Sequence, residues 1–328
     1  MKPKVFVTRP LPRPVLDLLA TRTEVRFHHE DTPIPAPQLA SACRDVEGLL
    51  AVGARVGAEV LQAAGKLRVV ASAGVGVDHV DVAACTARGI AVTNAPGGAR
   101  EATADLAFAL LLAVARRLVE GDRWVRQGRW QHWQWELLCG ADVHHKTLGI
   151  YGFGYIGQAV ARRGRGFSMR VLYYSRHRAR EPVERECGAE YVDRDTLFRE
   201  SDFLSLHLPL TLETERLIQG RELALMKPSA FLINTARGPV VEEEALVAAL
   251  AAGTFAGAGL DVFEREPQVH PALLEMPNVV LLPHIGSATR ETRLQMAQLA
   301  VENLLAVLDG RRPPNPVNPE VYGSKVDD

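Results

Sequence analysis

The chain lacks an excess of charge of either sign. Its 38 Lys and Arg stand against 39 Asp and Glu, for a net charge of −1. That excludes nucleic-acid or anionic-membrane binding through bulk charge, so any anion site has to be local. Paired cysteines are lacking too. Cys43, Cys85, Cys139 and Cys187 are scattered, with no CxxC pair and no zinc spacing, and read as thiols in a reducing compartment. No hydrophobic run is long enough for a bilayer. The longest, "LAFALLLAVA" (106–115), stops short and ends in Arg116 and Arg117. The N-terminal "MKPKVFVTRPLPRP" holds too short an apolar run for a signal peptide. No solenoid-period repeat is present. These absences leave a cytoplasmic, enzyme-like protein, and 328 residues favour two domains over one.

What is present is alternation. Short β-rich runs, "KVFVTR" (4–9), "GLLAVG" (48–53), "LRVVASAG" (67–74) and "IAVTN" (90–94), are separated by segments of helical spacing with Gly or Pro punctuation. That is the pattern of a parallel sheet covered on both faces. It breaks at "NAPGGAREATAD" (94–105). A helical pattern over 101–118 follows, then a tryptophan-rich loop, "RWQHWQWELLCGAD" (129–142). The alternation restarts at "KTLGIYG" and runs through "RVLYY", "DFLSLHLP", "AFLINTA", "GAGLDVF" and "VVLLPH" to a last helix over 291–308. The chain is expected to cross between domains at 97–101 and again at 286–290. The expected domains are 1–99 with 289–328, and 100–288, with the last helix returning to the first. The fold class is α/β, with two doubly wound parallel-sheet domains and an active-site cleft between them. The tail "YGSKVDD" is expected to be disordered.

"GIYGFGYIGQAVARR" contains Gly152, Gly154 and Gly157 as GxGxxG, after an apolar β run and at the start of a helix. In that context the motif cradles a dinucleotide pyrophosphate. Gly152 makes the turn, Gly154 admits the phosphate, and Gly157 lets the helix pack closely on the strand. An acidic residue that would accept the adenosine ribose hydroxyls normally ends the next strand. "VLYYSRHRAR" (171–180) has none there. It offers Ser175, Arg176 and Arg178, a hydroxyl and two guanidinium groups suited to a 2′-phosphate. This favours NADP(H). The alternative is a solvated basic run with NAD(H) or dual use.

Three later segments deliver chemistry to strand ends. "FLINTARGPVVEEEAL" places Arg237 there, "GAGLDVFEREP" places Asp261 with Glu266 behind it, and "VVLLPHIGSAT" places His284. In open α/β sheets the ligand crevice lies at that edge. Hydride transfer to a ketone leaves an alkoxide needing a proton, which a histidine supplies. A carboxylate beside it favours the imidazolium. An arginine forks onto a substrate carboxylate and polarises the carbonyl next to it.

With "SAGVGVDHVDVAACTARGIAVTNAP", "GFGYIG", "LHLPLTLETERLI", "NTARGPVVEEEAL", "GLDVFEREP" and "LLPHIGSAT", the sequence resembles the D-isomer-specific 2-hydroxyacid dehydrogenase family over essentially its whole length. It is most like the glyoxylate/hydroxypyruvate reductases. The resemblance implies a flavodoxin-like substrate domain and a Rossmann cofactor domain. It implies His284 as acid/base, Glu266 as its partner and Arg237 as substrate clamp. Gly53, Val75, Gly76 and Ser287 are implied near the substrate. Thr103, Tyr155, Ile156, His207, Pro209, Thr214, Thr235, Ala236, His284 and Gly286 are implied around the cofactor, with Asp261 near the nicotinamide amide. Ser175 stands where many relatives carry Asp, which supports NADP(H). Glu266 stands where formate dehydrogenase relatives carry Gln, which fits ketone reduction. The substrate is then a small 2-oxo acid, glyoxylate or hydroxypyruvate first. A larger one such as 2-ketogluconate is the nearer alternative, and a nucleotide-sensing corepressor the distant one. The resemblance also implies a homodimer built through the cofactor domain. The loop of Trp130, Trp133 and Trp135 lies at its interface, with Trp135 or Leu137 as a candidate contact to the partner's pocket.

Overall fold

The structure, a computed structural model, describes residues 1–322. It divides into two compact units, Met1–Ala99 with the chain from Ser287 onward, and Arg100–Gly286. The C-terminal chain crossing thus falls between Gly286 and Ser287.

The first unit contains β1 (Lys4–Val7), β2 (Glu24–Phe27), β3 (Gly48–Ala51), β4 (Val69–Ser72) and β5 (Ala91–Thr93). They form one sheet in the order β2-β1-β3-β4-β5, all parallel. This is the flavodoxin-like order. Strands buried on both faces are nearly continuously apolar, as "GLLA" is and as "VVAS" is up to the buried Ser72. One face, with Val5, Val7, Leu50, Val69 and Ala71, packs on Val15 and Leu19 of the helix Arg13–Arg22. Ala300, Val301 and Leu304 of the helix Arg290–Leu308 join the same layer. The other face packs on Leu39, Val60 and Leu61.

The second unit contains β6 (Thr147–Tyr151), β7 (Arg170–Tyr174), β8 (Ala189–Tyr191), β9 (Phe203–Leu206), β10 (Phe231–Asn234), β11 (Gly257–Leu260) and β12 (Val279–Leu281). Their order is β12-β11-β10-β9-β6-β7-β8, again all parallel. It is the dinucleotide-binding order with one further strand at the edge. From β6 the chain steps outward through β7 to β8, then returns to add β9 on the other side. The switch point is therefore at the carboxyl ends of β6 and β9, where ligands bind in such sheets. Alternate side chains serve opposite layers. Phe231 and Ile233 enter one core and Leu232 the other.

The helix expected over 101–118 spans Ala99–Ala115, and a second helix that was not anticipated, Leu118–Arg126, follows it. Arg117 between them takes a left-handed backbone, φ 52°, and forks onto Glu120 through Nε and Nη2 at 2.9 and 2.7 Å. β2 ("EVRF") and β8 ("AEY") were not anticipated. Both are short edge strands with polar faces. Of the tail expected to be disordered, residues 323–328 lie outside the described residues. Among the described residues no helix is long and apolar enough to cross a membrane.

Candidate active site

β6 runs into Gly152, whose φ of +94° suits glycine alone. A Cβ there would overlap the carbonyl of His207, so the loops after β6 and β9 touch backbone to backbone. A Cβ at Gly157 would overlap the carbonyl of Gly152, which is the close helix–strand approach the motif requires. Gly154 is the N-cap of the helix Tyr155–Gly166. No side chain caps it, and nothing lies within 4 Å of its Cβ direction. An uncapped N-terminus with open space before it is an anion cradle. Ile156 packs into the core beneath, while Tyr155 is exposed. Beside this loop, Thr235 Oγ1 and His207 Nδ1 are buried without hydrogen-bond partners. His207 Nε2 meets Ser205 Oγ at 2.8 Å, and burial pushes the ring pKa down to about 3, so it stays neutral. Thr214 donates to the Pro209 carbonyl at 2.6 Å and accepts from Thr211 N–H at 2.8 Å, which closes the turn after β9. These features fit a dinucleotide.

At the end of β7, Ser175 donates to the His177 carbonyl at 2.5 Å, and Arg176 meets Glu213 at 3.1 Å with both side chains exposed. Arg178 is engaged elsewhere. Its Nε and Nη2 fork onto the buried Glu184 at 2.9 and 3.0 Å. The Tyr173 hydroxyl donates to the same carboxylate at 2.6 Å and accepts from Ala179 N–H at 2.8 Å. Arg178, then Tyr173, hold the Glu184 carboxyl below its usual pKa. A buried carboxylate needs such a cation, and Arg178 meets that need. The Tyr173 ring stacks at 3.9 Å on Phe153, inside the glycine loop.

The chemical residues come from neighbouring strands. Arg237 follows β10, Asp261 follows β11 and His284 follows β12. His284 Nδ1 lies 2.7 Å from Glu266 Oε2. That hydrogen bond, against an opposing burial effect and with Glu266's charge in support, raises the His284 pKa above the ordinary histidine value. Burial acts against the ionised Glu266. The hydrogen bond and charge of His284, the Phe263 N–H at 3.1 Å and the charge of Arg237 outweigh it and lower its pKa. Arg237 therefore acts electrostatically on both members of the pair. Its Nη1 donates to the Ala236 carbonyl at 2.8 Å, and the buried Asn234 shapes the turn by accepting from Ala236 N–H and donating to the Arg237 carbonyl.

Asp261 does more than its expected place near the nicotinamide implies. His284 has a left-handed backbone, φ 53°, an uncommon state for a residue with a side chain. Asp261 holds it there. Its carbonyl accepts from His284 N–H at 2.8 Å, and its two carboxylate oxygens accept from Ile285 and Gly286 N–H at 2.7 and 2.8 Å. Burial raises the Asp261 pKa despite these bonds. Gly286 leaves room for no side chain to spare, since a Cβ would stand 3.4 Å from Thr103 Oγ1. Gly53, Val75, Gly76 and Ser287 belong to the first unit. There Gly53 (φ +65°) follows β3, and Val75–Gly76 follows the adjacent β4, with Asn94 Nδ2 donating to the Val75 carbonyl at 2.8 Å.

A family model described as "D-isomer specific 2-hydroxyacid dehydrogenase, NAD binding domain" matches residues 108–286. The chain belongs to the D-isomer specific 2-hydroxyacid dehydrogenases. As a member of that family it is an NAD(P)-dependent oxidoreductase. The dehydrogenase is 50% identical to a glyoxylate reductase of Thermococcus litoralis, over 99% of each chain. A crystal structure of a protein from Thermus thermophilus superposes with a TM-score of 0.89 at 49% identity, over 96% of this chain and 99% of that one. An NADPH-dependent glyoxylate/hydroxypyruvate reductase of Sinorhizobium meliloti, solved with NADP and malonate, gives a TM-score of 0.88 at 37% identity, over 97% of each chain. Sequence reasoning about the dehydrogenase missed Asn234, Tyr173 and Glu184. The one available signal was Glu184 falling nine residues after Ser175 on a helix, and nothing in the spacing marks it as buried.

Proposed function

We propose that the protein reduces glyoxylate to glycolate, and hydroxypyruvate to D-glycerate, with NADPH as the preferred cofactor. The observation that carries this reading is the His284–Glu266 pair at 2.7 Å with Arg237 acting on both, at the carboxyl edge of a dinucleotide-binding sheet. Identity along the full length to glyoxylate reductases supports the substrate.

A nicotinamide dinucleotide held at the loop of Gly152, Gly154 and Gly157 would supply the hydride that the carbonyl carbon takes up. The carbonyl oxygen then needs a proton, and His284 holds one at Nε2 while Glu266 engages Nδ1. The elevated pKa keeps the imidazolium populated near neutrality. Arg237 forks onto the substrate carboxylate and draws electron density from the adjacent carbonyl.

Ser175 and Arg176 support the preference for NADPH. The exposed Arg176–Glu213 pair is worth roughly 0–1 kcal/mol, little enough to be given up for a phosphate. Arg178, bound to Glu184, instead holds the loop that presents them. The protein works as a homodimer through the cofactor domain. Support comes from an apolar groove on the second unit, lined by Val119, Phe231, Leu274 and Leu281, and from Trp133 and Trp135, which are 71% and 81% exposed.

The test is kcat/KM for glyoxylate and hydroxypyruvate with NADPH and with NADH. Turnover of glyoxylate with a marked NADPH preference is expected. Equal use of NADH would remove the cofactor assignment and leave the reductase, whereas no turnover of either acid would remove the substrate assignment.

A further inference from the structure

The glycine loop from Gly152 to Gly157 contains no cation, although a dinucleotide brings a charged pyrophosphate to it. Most of the arginines around it are engaged. Arg162 and Arg163 pair with Glu101, and Arg163 also with Asp105. Arg176 pairs with Glu213 and Arg178 with Glu184. Arg100 is different. Its guanidinium carbon lies 4.1 Å over the ring of Tyr155, the first residue of the phosphate-facing helix. Its Nε is buried without a hydrogen-bond partner. The carboxylate next to it in sequence, Glu101, is taken by Arg162 and Arg163.

A cation resting on the first turn of a helix stands against the positive end of the helix dipole. The ring face compensates in part, since a guanidinium is attracted to an aromatic quadrupole. An anion placed between guanidinium and helix terminus would satisfy both. We propose that Arg100, carried on the Tyr155 ring, is the counter-charge for the dinucleotide pyrophosphate. The contact holds the guanidinium carbon over the ring, from where its N–H groups would fork onto phosphate oxygens. Tyr155 is then a platform, a positioning residue whose hydroxyl is dispensable. This inference rests on the dinucleotide reading of the glycine loop and is independent of the choice between NADPH and NADH.

The experiment is equilibrium fluorescence titration of the substrate-free protein with NADPH and with NADH, at low and high salt. Arg100→Met is expected to raise Kd for both cofactors alike, by about tenfold or more, the worth of a charge-assisted hydrogen bond. It should also flatten the salt dependence of binding. Arg100→Lys is expected to lie between, because it keeps the charge and loses the fork. Tyr155→Ala should weaken both cofactors. If Arg100→Met does not fold, the Lys and Tyr155→Ala proteins carry the test with the same expectations. Unchanged Kd values in these variants would overturn the proposal. A loss confined to NADPH would also overturn it, by moving Arg100 to the 2′-phosphate. Wild-type protein that binds neither cofactor would overturn the dinucleotide reading itself, an outcome distinguishable from both.

Discussion

His284 Nδ1 stands 2.7 Å from the Glu266 carboxylate, and that contact sets the pH at which the ring can give up a proton. It raises the His284 pKa above the ordinary value of about 6.5. Reduction needs the protonated ring, so its rate should hold at low pH and fall as pH rises through the elevated pKa. Oxidation should rise over the same interval. Glu266→Gln removes the charge that raises the pKa, so the alkaline fall in reduction should move to lower pH. The measurement is kcat/KM for glyoxylate against pH in both proteins. The apparent values belong to the pair rather than to either residue. Coincident profiles would contradict the coupling.

Arg237 acts on both members of the pair and follows β10 at the ligand edge. Arg237→Ala should lower kcat/KM by about a hundredfold or more, because it removes clamp and polariser together. Arg237→Lys should recover only part, since an ammonium cannot fork. Cofactor Kd should stay within a few-fold of wild type in both. Near-wild-type kcat/KM would remove Arg237 from the assignment.

Ser175 and Arg176 are the cofactor test. Ser175→Asp places a carboxylate where a 2′-phosphate carrying roughly −2 charge would sit. It should weaken NADPH and strengthen NADH, shifting the ratio of their kcat/KM values by about tenfold or more. Arg176→Ala should weaken NADPH alone. Equal effects on both cofactors would mean that the stretch is solvated surface.

Gly238 follows Arg237, and a Cβ there would overlap the backbone carbonyl of Phe263. The Phe263 N–H holds Glu266. Gly238→Ala therefore has to push apart the two loops that carry Arg237 and Glu266. Overpacking of this kind costs about 1–3 kcal/mol. A lower thermal midpoint and a depressed kcat with NADPH affinity retained are expected. A fully active, equally stable protein would show that the two loops are not tied in this way.

Much of this site was legible because its signals are local. Gly152, Gly154 and Gly157 are spaced by the steric needs of one turn, and Arg237, Asp261 and His284 each end an apolar strand. What could not be read arises from contacts between distant segments. Arg178 reads as a free cation until Glu184 is brought under it by the Tyr173 hydroxyl. Asp261 reads only as a residue near the cofactor, and nothing in the spacing shows that its oxygens also hold the backbone after His284. The helix Leu118–Arg126 went unread because none of its residues is buried, so no core-facing stripe marks it. β2 and β8 were hidden because edge strands need no apolar run.

The most direct test of the central claim compares wild type with His284→Asn for NADPH-dependent glyoxylate reduction, alongside NADPH affinity measured by titration. The account predicts that wild type turns glyoxylate over, and that His284→Asn loses about 10²–10⁴-fold in kcat, the usual worth of a positioned general acid. NADPH Kd should remain close to wild type. A His284→Asn protein that reduces glyoxylate at a near-wild-type rate, with chemistry limiting, would contradict it.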